Sequence, residues 1–227
     1  MASKLYVVST PIGNYDDITL RALKILNEVD FIICEEFKDA RRLLSHYKIE
    51  KELFSLNEHN EKEASFELFQ KIKDGKSAAL ISDCGTPLFS DPGHLLVQLC
   101  INSNIEIIPI PGANSLLPAL IASGFKLDKF YYAGWISPKK ELRKKELTKL
   151  KSIKELIVLM ETPYRLKSIL SDIKNIFGDN TQIALAFDLT LPTEKIFRGK
   201  VSEIFKVIEK ENLKGEFVIV LDNRENN

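Results

Sequence analysis

The first half of the chain repeats one pattern: a short apolar run, a stretch with helical spacing of apolar residues, then another apolar run. The runs fall at residues 5–8 (LYVV), 31–34 (FIIC), 53–56 (LFSL), 78–81 (AALI) and 105–108 (IEII). Each has strand length, and the stretches between them have helical length. Strands alternating with helices predict an α/β unit with a mostly parallel sheet. The turn-rich Thr10-Pro11-Ile12-Gly13-Asn14 follows the first strand. Asp16 and Asp17 are then expected to cap a helix that turns Ile18, Ala22, Leu23 and Leu26 inward. Glu35-Glu36 leads into a second helix, and Gly75 suits the position just past the end of a third.

The second half follows a different rhythm. Strands are predicted near residues 130–133, 155–160, 182–187, 195–198 and 217–221, with helices near 139–152, 163–177 and 201–211. Thr162-Pro163 reads as an N-cap followed by the first helical position. Several of these strands are separated by turns instead of helices, so a mixed sheet is expected. Pro109-Ile110-Pro111-Gly112-Ala113-Asn114-Ser115 is punctuated by Pro and Gly and reads as a turn opening a helix. It is the best boundary, giving an N-terminal α/β domain over 1–114 and a C-terminal one over 115–227.

Composition narrows the setting. Lys plus Arg equals Asp plus Glu at 32 each, so attraction to nucleic acid or membrane needs a local patch. Cys34, Cys84 and Cys100 form no CxxC pair, which suits structural thiols in a reducing compartment. The apolar run at 5–9 is too short for a signal core or a membrane span. A soluble, cytoplasmic protein without membrane attachment is expected. The three scattered histidines have no metal-ligand spacing.

The long connection Ser82-Asp83-Cys84-Gly85-Thr86-Pro87-Leu88-Phe89-Ser90-Asp91-Pro92-Gly93 sits between an apolar run and a helix. In open α/β sheets ligands bind beyond the carboxyl ends of the strands, and long loops in compact domains tend to be functional. Taken alone it also reads as a tight turn, with Gly85 supplying an unusual φ and Pro87 and Pro92 stiffening it. The loops at 10–13 and 111–115 would open at the same sheet edge. A fourth motif, Glu161-Thr162-Pro163-Tyr164-Arg165, lies in the second half.

Together these motifs resemble the class III S-adenosylmethionine-dependent methyltransferases, the tetrapyrrole methylase superfamily. Residues 5–23 (LYVVSTPIGNYDDITLRAL), His59-Asn60-Glu61, the 82–93 loop, 109–112 (PIPG) and Lys214-Gly215-Glu216 narrow the resemblance. They are similar to the bacterial 16S rRNA (cytidine-2′-O)-methyltransferases. The resemblance implies two α/β domains with the cofactor in a cleft between them, S-adenosylmethionine as methyl donor, and a homodimer. It places the donor against Pro11, Asp83, Gly85, Thr86, Leu88, Asn114, Ser115, Met160, Ala186 and Phe217. The G-x-G-x-x-G fingerprint of nicotinamide enzymes is absent from the sequence and from the family alike. A ribose hydroxyl is a poor nucleophile until its proton leaves. The candidates for the acceptor side are Glu36, Lys38, Arg41, His59, Glu61 and Asp188, with no single catalytic residue assigned.

Two segments depart from the family. Glu35-Glu36-Phe37-Lys38-Asp39-Ala40-Arg41 stands where the pattern is E-D-T-R-x-[ST]-R, and Phe187-Asp188-Leu189-Thr190-Leu191 stands where it is R-E-L-T-K. These keep two other readings open: a paralogue methylating a small substrate such as a tetrapyrrole, and a non-catalytic donor-binding module associated with RNA. Favouring ribosomal RNA, residues 139–154 carry Lys139, Lys140, Arg143, Lys144, Lys145, Lys149, Lys151 and Lys154 against only Glu141 and Glu146. Lys144 and Lys145 are the central phosphate-binding candidates. The same stretch also reads as a solvated helix face with Leu147, Leu150 and Ile153 turned to the core. Trp135 just ahead of it reads either as a base-stacking residue or as core or interface.

Overall fold

The structure, a computed structural model, describes residues 3–224. They divide into two compact units, one ending at Asn114 and the other starting at Ser115. In the first unit the order is β1 (Lys4–Val8), α1 (Leu20–Glu28), β2 (Phe31–Cys34), α2 (Phe37–His46), β3 (Glu52–Ser55), α3 (Glu61–Lys73), β4 (Ser77–Ile81), α4 (His94–Asn102) and β5 (Glu106–Ile110). The sheet runs β3-β2-β4-β1-β5, and every adjacent pair is parallel. All five strands therefore release their loops at one edge. Because β1 lies between β4 and β5, the loops after these three strands are neighbours.

Helices cover both faces of this sheet, which is why β2 and β4 are buried along their whole length. Ala22 and Leu26 of α1 pack with Leu43 and Leu44 of α2 on Ile32, Ala79 and Ile81. On the opposite face Leu68 and Ile72 of α3 join Leu96 and Cys100 of α4 over Leu5, Ile33 and Leu80. One expectation fails at the start of α1. Its cap is Thr19, whose hydroxyl accepts the Ala22 amide at 3.1 Å. Asp16 and Asp17 sit instead in a short 3-10 turn (Tyr15–Asp17) capped by Asn14. The extended backbone of Ile18 ends that turn, so the aspartates cannot belong to the helix beyond it. Pro109 and Ile110, read as part of a turn, pair in register with Val7 and Val8 as the end of β5.

The second unit comprises α5 (Leu116–Ser123), β6 (Phe130–Trp135), α6 (Lys140–Leu150), β7 (Leu156–Glu161), α7 (Leu166–Phe177), β8 (Gln182–Phe187), β9 (Lys195–Lys200), α8 (Val201–Glu211) and β10 (Phe217–Asp222). Its sheet runs β6-β7-β10-β8-β9. Only β6 and β7 pair in parallel; the other pairs are antiparallel, so the sheet is mixed as expected. Successive strand residues alternate between two apolar layers. Ile157, Leu159, Ile183, Leu185 and Ile219 face α6, α7 and α8, while Leu156, Val158, Ala184 and Val218 face α5. Thr162 has the extended backbone of an N-cap, yet its side chain makes no cap bond. Residues Pro163–Arg165 form a 3-10 turn, and α7 starts only at Leu166. Among the described residues no helix is long and apolar enough to cross a membrane.

Candidate functional site

In the first unit the loops after β1, β4 and β5 are tied to one another by the backbone. Thr10 donates its amide to Gly85 O at 2.8 Å and accepts the Gly85 amide at 3.1 Å, a two-residue antiparallel bridge beyond the parallel sheet. The Thr10 hydroxyl donates to Ser82 O at 3.0 Å, and the hydroxyls of Ser9 and Thr86 lie 3.0 Å apart. The Ser9 amide donates to Ile110 O at 3.3 Å. A Cβ placed on Gly112 would lie 2.9 Å from Ser9 Cβ, so the β5 loop approaches β1 only through a glycine. Gly85 has φ +83, a conformation that side chains strain. Pro11 is buried beside this bridge, whereas Asp83 and Thr86 are exposed and Leu88 is half-buried.

The 82–93 loop carries further positive-φ residues. Leu88 (φ +68) and Ser90 (φ +77) hold left-handed backbone without being glycine. Residues of this kind persist only where their surroundings determine them, and they concentrate at binding sites. Leu88 is packed into the core below the loop. Glu61 fixes the loop's far end, since its carboxylate accepts the Gly93 amide at 2.9 Å and the Leu95 amide at 3.5 Å at the start of α4.

Carboxylates gather at the same edge. Asp83 accepts the Glu36 amide at 3.1 Å. Partial burial pushes its carboxyl above the usual range, that hydrogen bond opposes the shift, and Asp39, Glu36 and Asp91 add to it. Glu35 is raised by burial, then by Asp83, Asp91, Glu36 and Glu58. Burial also raises Asp91, against a bond from Ser82. A concentration of carboxylates of this kind suits a cationic ligand. Cys34, beneath it, is pushed up to about 12, by burial first and then by Asp83 and Glu36, and is an inert core thiol.

Of the acceptor-side candidates, Glu36 is the N-cap residue of α2 without a side-chain cap bond, and Lys38 and Arg41 are exposed on that helix. The Arg41 guanidinium lies 5.4 Å from the Phe37 ring centroid. His59 is exposed and sits 3.6 Å from Glu58, and the Asn57 side chain organises the turn by accepting the His59 amide at 3.0 Å. All these residues follow β2 or β3, on the edge that carries Asp83. Ser9, Glu35 and Asp91 were not singled out in the sequence; Ser9 adjoins the TPIGN motif, Asp91 lies within the 82–93 loop and Glu35 opens the 35–41 segment.

Asn114 ends the first unit, and Ser115 opens the second as the N-cap of α5 without a side-chain cap bond. Met160, Ala186 and Phe217 lie on neighbouring strands: Val218 pairs with both Met160 and Ala186, and Phe217 pairs with Glu161 and Phe187. Ala186 and Phe217 are buried. Met160 is partly open, and its sulfur accepts the Tyr132 hydroxyl at 3.2 Å. Asp188 follows β8 with φ +49. Its amide donates to Glu216 O at 2.8 Å, and its carboxylate accepts the Thr193 hydroxyl at 2.8 Å. A Cβ on Gly215 would fall 2.2 Å from Asp188 Oδ1. The Lys214-Gly215-Glu216 motif thus owes its glycine to this approach, and burial together with Asp188 raises the Glu216 carboxyl.

The basic helix α6 needs one correction. Arg143 does not belong to the solvated face: it is buried, and its Nε donates to Asp172 of α7 at 2.8 Å. A guanidinium at helical spacing from Leu147 and Leu150 follows them inward when a carboxylate waits there. Lys145 and Lys149 are exposed and Lys144 is partly so; with Glu141, Leu142, Glu146 and Thr148 they line a surface groove. Trp135, at the end of edge strand β6, is 44% exposed and thus not a core residue. Among the described residues no group of His, Cys, Asp and Glu is arranged to hold a metal ion.

A family model described as tetrapyrrole (corrin/porphyrin) methylases matches residues 4–204. The chain is 42% identical over 222 residues to the ribosomal RNA small subunit methyltransferase I of Thermotoga maritima, covering 98% of this chain and 99% of the relative. Among solved structures it resembles a cobalt precorrin-4 methyltransferase of cobalamin biosynthesis (TM-score 0.71, 20% identity, 96% and 94% covered). It also resembles a uroporphyrin-III C-methyltransferase from Thermus thermophilus complexed with S-adenyl homocysteine (TM-score 0.66, 16% identity, 96% of each covered). At these identities the two structures speak to the fold alone.

Proposed function

The chain belongs to the tetrapyrrole methylase family, and from that premise we propose that it transfers the methyl group of S-adenosylmethionine to the ribose 2′-oxygen of a cytidine in 16S ribosomal RNA. It does so as a cytoplasmic homodimer. The observation that carries this reading is the end-to-end likeness to a relative named for the small ribosomal subunit. The three bridged loops, at the sheet edge where open α/β sheets bind ligands, support this reading.

The residues present fit such a donor. Gly85 holds the φ of +83 that its bridge with Thr10 needs, a conformation that side chains strain. Asp83, Glu35 and Asp91 form an anionic rim for a ligand that carries a sulfonium and an ammonium charge. Bound there, the donor supplies an electrophilic methyl group. Displacement at that methyl is in-line, so the chain's work is to align the acceptor and exclude water. Pro11, Thr86, Leu88, Asn114 and Ser115, with Met160, Ala186 and Phe217, are the positions proposed to hold the donor. Glu36, Lys38, Arg41, His59, Glu61 and Asp188 are proposed for the acceptor side. Lys144 and Lys145 on α6 are proposed to hold RNA phosphates.

One residue favours a second reading, donor binding without transfer. Phe187, which stands where the family pattern has arginine, is buried in the core of the second unit. It offers the acceptor no charge. Incubating the protein with methyl-labelled donor and small subunits from a host lacking this gene separates the two. Label in the RNA supports the first reading; donor binding without label in the RNA favours the second.

A further inference from the structure

Glu161 ends β7 with its side chain wholly buried and pairs with Arg165 one turn later. Its carboxylate also accepts the Thr162 amide at 3.1 Å, and the Arg165 amide donates to Thr162 O at 3.0 Å. Glu161 Oε1 and Arg165 Nη1 are buried and find no hydrogen-bond partner among the described residues. Pro163 fixes one backbone angle between them. The turn is thus pinned by an incompletely satisfied ion pair whose carboxylate is wholly buried and whose guanidinium is 18% exposed, an arrangement that opposes folding unless something else is gained. What the turn presents is Tyr164, 91% exposed.

A ring held in water adds nothing to the core, and local rules are broken at such expense chiefly at functional sites. The position narrows the purpose. Tyr164 lies four residues beyond Met160, one of the proposed donor contacts. Trp135 pairs in register with Met160 and brings a second exposed ring to the same end of the sheet. The turn runs straight into α7, whose Asp172 holds Arg143 of α6, so the turn and the lysine-bearing helix are linked through α7.

We propose that Tyr164 is a stacking platform for an unpaired nucleobase of the RNA acceptor, positioned by the Glu161–Arg165 pair and assisted by Trp135. The proposal rests on the RNA reading above and adds to it the surface that holds the base. An aromatic face accepts any base, while the lysines of α6 hold the backbone; together they form a single-strand binding surface.

The test is filter binding of an unmodified 16S rRNA transcript to wild type, Y164A and Y164F at low and high salt, with methyl transfer and sedimentation measured in parallel. Y164A weakens binding roughly tenfold, Y164F stays near wild type, and the salt dependence is unchanged because no phosphate contact is lost. Equal affinity of Y164A and wild type overturns the proposal. So does a Y164A protein that changes only its state of association, which would make the ring a protein–protein contact. A wild type that binds RNA but moves no methyl overturns the transfer reading instead, and loss of affinity in Y164A then still supports the stacking site.

Discussion

Thr10 and Gly85, from loops that leave adjacent parallel strands, exchange two backbone hydrogen bonds of 2.8 and 3.1 Å. The bridge converts two loops into one rigid wall at the sheet edge, and it depends on a residue able to hold φ +83. Replacing Gly85 by Ala forces a side chain into left-handed backbone, with its Cβ 3.4 Å from Ile12 Cγ2. G85A is expected to lower stability by about 1–2 kcal/mol. It should weaken S-adenosylmethionine binding further than that loss alone explains, as read by thermal unfolding and calorimetric titration.

The carboxylates of the proposed donor rim are expected to make donor binding depend on pH. Asp83, Glu35 and Asp91 are raised, each by burial first. Just above the ordinary carboxylate range the folded protein therefore holds protons that the unfolded chain has released. Stability without donor falls as pH climbs through that window. A cationic donor prefers the ionised carboxylates, so its affinity rises over the same window. D83N keeps an acceptor for the Glu36 amide but removes the charge, and is expected to flatten both trends and reduce affinity roughly tenfold or more. Asp30 and Asp222, held low by Ser77 and Arg224, titrate below the window, while Glu161 and Glu216, raised by burial, share it and leave a residual stability slope in D83N. Chemical denaturation and calorimetry across pH check both slopes.

Arg143 and the lysines of α6 should separate cleanly. The buried Arg143–Asp172 pair is structural. R143M leaves a buried aspartate alone and costs about 3–5 kcal/mol, whereas the R143M/D172L double variant recovers most of it. Urea denaturation measures both, and the salt dependence of RNA binding is expected to stay as in wild type.

Charge reversal at Lys144, Lys145 and Lys149 has the opposite signature. Stability changes little, because these side chains are wholly or partly exposed and surface substitutions rarely matter by more than about 0.5 kcal/mol. RNA affinity falls and its salt dependence flattens with the lost phosphate contacts. Unchanged affinity and slope would make the face plain solvated surface.

The fold was legible where one signal decided it. The apolar runs of residues 31–34 and 182–187 and the helical spacing over 201–211 became β2, β8 and α8 with the expected bounds, because burial on a periodic face is a local property of sequence. The shared edge of the three loops followed from parallel order. Pairings across distance were not legible. Nothing near Arg143 announces Asp172, twenty-nine residues away, so a buried guanidinium looked like one more surface cation. Gly215 was visible as part of a motif, but its reason, the approach of Asp188, needs two loops to meet. The cap of α1 went to Thr19 and not to Asp16-Asp17, because Asn14 had already claimed those aspartates for a turn of their own.

The central claim is transfer to a ribose oxygen, and the chemical position of the label tests it most directly. Methyl-labelled S-adenosylmethionine is incubated with the protein and undermodified small subunits, and the RNA is digested to nucleosides and resolved by mass spectrometry. The expected result is label in 2′-O-methylcytidine, strongly reduced in D83N relative to wild type. Label confined to a base, or donor binding with no labelled nucleoside at all, would contradict it.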